Sequence, residues 1–443
     1  MFSKLGGKAI RDKTGAFVQI DDMQYAFTHP EGVKNNADWF AKQLTDGVPV
    51  DFILFDHERG HKKWTADEVT RRMRDEGLTP KALADEIRAF VDGADWKRKQ
   101  DLAGSKGEQH THQAYATGPA PADSGPALWD HLAKPESWTP DRQELHGGLI
   151  ATAHAHARAF ADAVEGPPTI FAMRGNTASG KTRAIAGNIP VLEKAVKKTA
   201  GLRHRAANPD NFKVDLREAD LDIPLSSTQV HSESSMLSTR FEATLPGLKR
   251  SDGQPGSFLI DKRLGAVADV ERLAQIARDT GRKLEMYDID ASLEMSLYGV
   301  LMRPPGGADP VPNFQVIADG YVAARSNREA VMAVFTADAS VGTYKVFGTD
   351  ATGAKKLVAE VVGGKQRIVD QASFDGWKNH DVEEHVTTLE TQKLTPEVVE
   401  AVTKNLPKPF RDEVRAALEP HVNAGRTWKE AVDHHSQTPP RRR

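Results

Sequence analysis

Gly175-Asn176-Thr177-Ala178-Ser179-Gly180-Lys181-Thr182 is the stretch on which the reading of this chain turns, because it matches G-x-x-x-x-G-K-[ST] at every position. The spacing has a physical basis. Two glycines let the main chain curl until successive N–H groups point inward, and the helix that follows adds its positive N-terminal end, so the loop cradles phosphate. Lys181 would reach the β and γ phosphates, and the Thr182 hydroxyl would help hold magnesium. The flanks agree. Pro168 to Met173 reads as a short buried strand, and a helical stretch begins at Lys181. Such a loop serves kinases, hydrolysing motors and switches alike, so the chemistry has to come from its surroundings.

Downstream stands Asn208-Pro-Asp210-Asn-Phe-Lys213. A carboxylate on a turn after the loop helix can accept a proton from an attacking hydroxyl, which makes Asp210 the candidate base; on spacing alone an Asp-Asn turn followed by a solvated lysine is the stronger reading. Gln229-Val-His231-Ser-Glu233 through Arg240 reads as a polar helix. Ser257-Phe-Leu-Ile-Asp261-Lys262-Arg263 is a buried strand ending in charge, where parallel sheets bind ligands. Asp261 also reads as a magnesium carboxylate of a motor ATPase. Ala291 to Arg303 is an amphipathic helix running into Pro304-Pro-Gly-Gly-Ala-Asp-Pro310, and an arginine at such a junction suits a lid over a transferring phosphate. It equally suits the negative end of a helix dipole.

Around this centre the chain parts into four regions. Residues 1–100 form a small α+β unit, with a strand in Val48 to Phe55, a capping box at Thr65-Ala-Asp-Glu68 opening a helix to Glu76, and a second helix from Thr79-Pro80. Residues 101–126, rich in Gly, Ala and Pro, read as a mobile linker. Residues 127–350 alternate a long Ala-rich helix (Leu145 to Val164), strands at Ser257 to Ile260 and Leu284 to Ile289, and further helices, the pattern of an α/β fold with a parallel sheet covered by helices. Residues 351–443 form an extension that is mostly helical, behind a hairpin of Tyr344 to Phe347 with Leu357 to Val362; its helices start at Thr395-Pro-Glu-Val398 and Phe410, and its end should fray.

Composition narrows the function. The 443 residues carry 59 Lys plus Arg against 62 Asp plus Glu, a formal charge of -3, so no global field favours nucleic acid or membrane. With no cysteine, thiolate catalysis and disulfides are out. No apolar run approaches the roughly 18 residues of a membrane span, and the N-terminus lacks a secretory signal, so synthesis and folding in a cytoplasm are expected; injection by a dedicated machine would leave no such mark. His57 and His61 have metal-pair spacing but Gly60 between them weakens a helix and no third ligand follows. Histidines 110, 112, 154 and 156 read as surface residues.

Taken in order, the phosphate loop, Asn208-Pro-Asp210-x-Phe-Lys213, His231-x-Glu-x-Ser with the later Arg240, the strand ending in Asp261 and the helix ending in Arg303 resemble the zeta-toxin kinase family over about residues 140 to 350. The resemblance implies a P-loop small-molecule kinase that uses ATP and Mg2+ to phosphorylate a sugar hydroxyl of a nucleotide-type metabolite. By position, Lys181 and Thr182 match the nucleotide loop and Asp210 the acid that activates the acceptor. His231, Arg240, Asp261 and Arg263 fall on the substrate side, and Arg303 matches the first lid arginine. Two departures stand out. Lys262-Arg263 replaces the usual Gly-Thr, and no second lid arginine occurs from Pro304 to Val322, leaving Arg325 or Arg328 as substitutes. With roughly 170 residues ahead of the loop, the layout resembles the zeta-like effectors of plant-pathogenic bacteria. NAD at its 3′-hydroxyl or UDP-N-acetylglucosamine is then the expected acceptor, and an antitoxin or chaperone the expected partner. A nucleotide hydrolase or an ATP-dependent binding module is the alternative.

Overall fold

The structure is a computed structural model of the chain. It describes residues 125–437 apart from 221–224, 305–310 and 351–353, and, before residue 118, segments 8–11, 16–20, 23–26, 45–46, 50–56, 60–64, 66–82, 85, 101–102, 105 and 109–117. The Pro305 to Pro310 part of the expected lid and the tail from Thr438 lie outside the described residues. The chain divides into two compact units, one of residues 1–146 with 213–236, the other of residues 147–212 with 237–440.

The second unit holds the phosphate loop. Its sheet contains β6 (Thr169–Arg174), β7 (Ala206–Ala207), β8 (Phe258–Asp261), β9 (Lys283–Ile289), β10 (Gly342–Thr349), β11 (Lys355–Val362) and β12 (Lys365–Ile368), in the order β12-β11-β10-β9-β6-β8-β7. The strands from β10 across to β7 run parallel, whereas β11 and β12 are antiparallel. β6 is buried along its whole length, as a central strand covered on both faces must be, which is why it reads as an unbroken apolar run. Register then sets the site. Met173 of β6 lies opposite Asp261 of β8, and Arg174 opposite Asp288 of β9, so the ends of three strands surround the start of the loop.

Three expectations change here. The hairpin expected at the front of a C-terminal extension belongs to the main sheet, because β10 pairs in parallel with β9. Gly342 makes this approach: at φ +144° a Cβ there would lie 2.0 Å from the Leu284 carbonyl oxygen. The expected boundary at 350 therefore falls inside the β10–β11 connection. The helix expected from Lys181 is short, Lys181–Ile185, and a second one, Pro190–Lys198, follows. The terminal helices Val382–Thr391, Pro396–Thr403, Lys408–Asn423 and Trp428–Gln437 share one core with Leu293–Leu301 and Phe314–Ser326, with Trp428, Leu418 and Leu389 packed against Leu297 and Tyr321.

Helix Leu293–Leu301 delivers Arg303 to the site and is fixed at its start by Ser292, whose Oγ accepts from the Met295 N–H at 3.2 Å. Ser292→Ala is expected to cost about 1 kcal/mol, the ordinary loss of a serine cap, read as a lower urea midpoint at unchanged slope.

In the first unit, β1 (Lys8–Arg11), β2 (Ala16–Ile20), β3 (Met23–Ala26), β4 (Val50–Asp56) and β5 (Gly60–Trp64) form a sheet in chain order, with only β3 and β4 parallel. The strand expected at Val48 to Phe55 is β4, and helix Ala66–Glu76 lies where the capping box places it. His61 stands on β5 rather than on a helix, and His57 lies outside the described residues. The expected linker is partly packed. Helix Thr111–Tyr115 buries Thr111, His112 and Tyr115, the Thr111 N–H donates to the Gln229 carbonyl at 2.9 Å, and the Arg142 guanidinium lies 4.3 Å from the Tyr115 ring centre. Composition hid this packing because one aromatic anchor suffices to hold a short helix. Of the histidines expected on the surface, His112 is buried and His156 stacks on His204.

Candidate active site

The loop geometry follows from its residues. Gly175 has φ +143° and lies so close to β9 that a Cβ would stand 2.6 Å from the Ile289 carbonyl oxygen; its own N–H donates to the Arg263 carbonyl at 3.2 Å. Ala178, at φ +56°, holds a left-handed conformation that costs a non-glycine residue about 1–2 kcal/mol. Buried Asn176 offsets that strain. Its Nδ2 donates to Ser296 Oγ and the Ile317 carbonyl, and its Oδ1 accepts from the Thr177 N–H at 2.8 Å. Asn176 thus shapes the loop through its side chain. Ser179 Oγ is buried without a hydrogen-bond partner among the described residues, a polar atom left open inside a curled loop. Gly175→Ala is expected to weaken nucleotide binding by about tenfold or more, since relieving a clash of this kind displaces the loop by more than hydrogen-bond tolerance. Calorimetric titration with ATP measures it.

Lys181 leads the helix after Gly180, and its Nζ donates to the carbonyls of Gly175 and Asn176 at 3.2 and 3.3 Å. Asp261 Oδ1 stands 3.9 Å from the same nitrogen. Burial pushes the Lys181 ammonium below its usual range; Asp261 and then Asp210 oppose the shift, while Arg303 and Arg263 add to it. Burial likewise raises the Asp261 carboxyl, Asp210 adds to the rise, and Lys181, Asn208 and Arg205 pull against it. Lys181 thus stands beside Asp261 and within the electrostatic reach of Asp210, Arg263 and Arg303, five of the charged positions expected from the sequence.

Asp210 is held by its backbone. It is the second residue of helix Pro209–Ala219, and its N–H donates to Asn208 Oδ1 at 2.9 Å. Arg303 follows helix Leu293–Leu301, with its N–H on the Val300 carbonyl and its own carbonyl 2.8 Å from His435 Nε2. Arg263 is exposed and donates to the Val316 carbonyl at 3.1 Å. Lys262 is paired with Glu242, so only one of the two residues replacing Gly-Thr faces the site. Thr182 is exposed on the first turn. Together Thr182 and Asp261 supply a hydroxyl and a carboxylate next to Lys181, donors of the hard oxygen type that suits magnesium.

The two remaining expected residues lie on one helix. His231 is the exposed first residue of helix His231–Thr244 and belongs to the first unit; Arg240 is half-buried on the same helix, in the second. Within the first unit the neighbouring Glu233 is fully buried, accepting from Arg142 and His146 at 2.6 Å each, so that part of the motif builds core. Burial works against its ionisation, yet Arg142 and His146 hold its carboxyl far below the usual range. Arg325 and Arg328 are both held by aspartates. Arg325 grips Asp290 with two hydrogen bonds, and Arg328 bridges Asp288 and Asp290 from beneath the Trp377 ring. Sequence reading missed Arg174, which is fully buried on Asp288, the Leu264 carbonyl and the Ala324 carbonyl. Its one signal was an arginine inside an otherwise apolar strand.

This fold and this loop define an α/β protein with a mostly parallel sheet and a phosphate-binding loop at the carboxyl end of its central strand. No protein-family model and no curated protein matches the chain. Solved structures do. The AvrRxo1-ORF1:AvrRxo1-ORF2 complex with sulphate ions is 40% identical over 75% of this chain and 99% of that one, at a TM-score of 0.69. The same complex with ATP is 40% identical over 74% and 99%, at 0.68. The toxin–antitoxin system PezAT of Streptococcus pneumoniae gives 13% identity over 57% of this chain and 98% of that one, at 0.32. The chain belongs to the AvrRxo1 family. Among the described residues no helix is long and apolar enough to cross a membrane.

Proposed function

We propose that the chain is an ATP-dependent kinase of the toxin or effector type, which moves the γ-phosphate of ATP onto a hydroxyl of a nucleotide-type metabolite. The observation that carries the reading is Asp261 standing 3.9 Å from Lys181 beside the curled loop, with the charges of Asp210, Arg263 and Arg303 acting on the same lysine. The related complex that contains ATP supports the same donor.

The residues divide the work. The loop N–H groups and Lys181 hold the phosphate chain, and Ser179 Oγ, buried without a partner among the described residues, adds a donor inside the cradle. Asp210 takes the proton of the acceptor hydroxyl as its oxygen bonds to the γ-phosphorus; the bond to the β-phosphate oxygen breaks and ADP leaves. Arg303 and Arg263 balance the charge spread over the transferring group, Arg303 the more strongly for being half-buried. Thr182 and Asp261 would hold magnesium, which when bound neutralises charge on the β and γ phosphates.

The acceptor is NAD at its 3′-hydroxyl or the sugar of UDP-N-acetylglucosamine, with Arg240 and Arg263 on the acceptor side. Draining either would be toxic, so the producing cell would keep the enzyme quiet with an antitoxin or chaperone, as the two-protein AvrRxo1 complexes suggest, and the enzyme would act in the cytoplasm of the cell it reaches. Incubating the protein with labelled ATP, magnesium and each metabolite, then identifying the product by mass spectrometry, tests the reading. ATP turnover to phosphate with no phosphorylated acceptor, even from a whole metabolite extract, would replace the kinase with a hydrolase.

A further inference from the structure

We propose that Lys355 is a second lysine of the nucleotide site, holding the Ser179–Gly180 corner of the loop and presenting its ammonium to the phosphates of the bound nucleotide. The inference rests on the function proposed above and adds a residue to its donor side.

Lys355 opens β11 and comes from the hairpin that the main sheet absorbs. Its Nζ donates to the Ser179 carbonyl at 2.6 Å and also to Thr349 Oγ1, whose hydroxyl in turn donates to the Asp290 carbonyl at 2.7 Å. Its Cε lies 3.2 Å from where a Cβ on Gly180 would be, so the side chain lies against the last glycine of the loop. An ammonium has three N–H bonds and these acceptors use two, leaving one. Lys355 is half-buried and forms no ion pair with the described residues, unlike the next residue, Lys356, which is paired with Asp350. A cation taken partly out of water with no carboxylate partner is unfavourable unless an anion joins it. The nearest binding feature is a loop built for one.

The surrounding charges agree. Burial lowers the Lys355 ammonium to about 8; Asp290 at the end of β9 opposes the shift, and Arg183 on the loop helix adds to it. Arg183 is itself held over the Phe410 ring at 4.6 Å. Three cations, Lys181, Arg183 and Lys355, thus border one end of the loop, and a polyphosphate is the ligand whose charge matches them.

The test is ATP affinity by calorimetry at fixed, saturating magnesium, for the wild type, Lys355→Met and Lys355→Arg, each checked for thermal stability. Lys355→Met is expected to weaken ATP by about tenfold to hundredfold, the value of a charge-assisted hydrogen bond, and Lys355→Arg to restore most of it. A purely structural prop would not impose the second expectation. Wild-type affinity should fall by about tenfold per pH unit above pH 8, because binding must then return the proton that free Lys355 has lost, whereas Lys355→Arg should stay flat over that range. Lys355→Met binding ATP like the wild type, or a wild-type profile flat from pH 8 to 9, would overturn the proposal while leaving the kinase reading intact. No ATP binding by the wild type would overturn both.

Discussion

Asp210→Asn is expected to bind ATP within a few-fold of the wild type and to lose phosphoryl transfer by about 10²- to 10⁴-fold, the range of a general base. The two effects separate because of how the residue is held. Its position depends on a backbone N–H bonded to Asn208 Oδ1, which an asparagine keeps. What the substitution removes is the carboxylate that influences Lys181 and Asp261 and would receive the acceptor proton. With one negative charge fewer beside Lys181, binding of an anionic nucleotide should be unchanged or tighter. Single-turnover transfer to the acceptor, with ATP affinity measured in parallel, reads both quantities. Transfer at the wild-type rate would remove Asp210 from the chemistry, and joint loss of binding and transfer would make it a structural residue.

Asp288→Ala is expected to destabilise the second unit by about 3–5 kcal/mol, the usual result of leaving buried charge without its partner. Asp288 is fully buried. It accepts from Arg174, from Arg328 Nε at 3.1 Å and from the Tyr344 hydroxyl at 2.5 Å, and Arg328 passes on to Asp290 at 2.8 Å. Removing it strands the Arg174 guanidinium, next to Gly175, and leaves Arg328 with one carboxylate instead of two. Melting should therefore fall by roughly 10 °C or more, and ATP binding should weaken with it because the loop begins at Arg174. The sign with pH is fixed as well. Burial opposes ionisation of Asp288, but Arg174, Arg328 and Tyr344 outweigh it and hold the carboxyl below its ordinary value. The stabilisation is present above the ordinary carboxylate pKa and is lost as pH falls from there toward the depressed one. An acid-unfolding profile should show this loss in the wild type and lack it in Asp288→Ala. Equal stability of the two proteins at pH 7 would show that the network contributes nothing.

Among the histidines and arginines, the sequence misleads where a residue's role depends on who faces it. Arg325 and Arg328 were the substitutes at hand for a second lid arginine, but Asp288 on β9 and Asp290 just after it hold them. Glu233 sits in a motif of substrate-side residues and turns out to balance a buried arginine and histidine. Neither aspartates nor partners can be matched to these residues from one strand of text, because an ion pair is set by register and burial.

The phosphate loop needed no such knowledge. Glycine spacing, an apolar run before it and a helix start after it are local properties of a dozen residues, and backbone sterics translate them directly into a curled chain with its N–H groups inward. The charged positions Asp210, Asp261 and Arg303 were legible one by one as ends of helices and strands. That all three act on Lys181, that β10 lies against β9, and that a lysine 176 residues from Ser179 closes the same corner depended on which strands pair and which faces bury. Those choices minimise exposed apolar surface over the whole unit, and no window of sequence contains them.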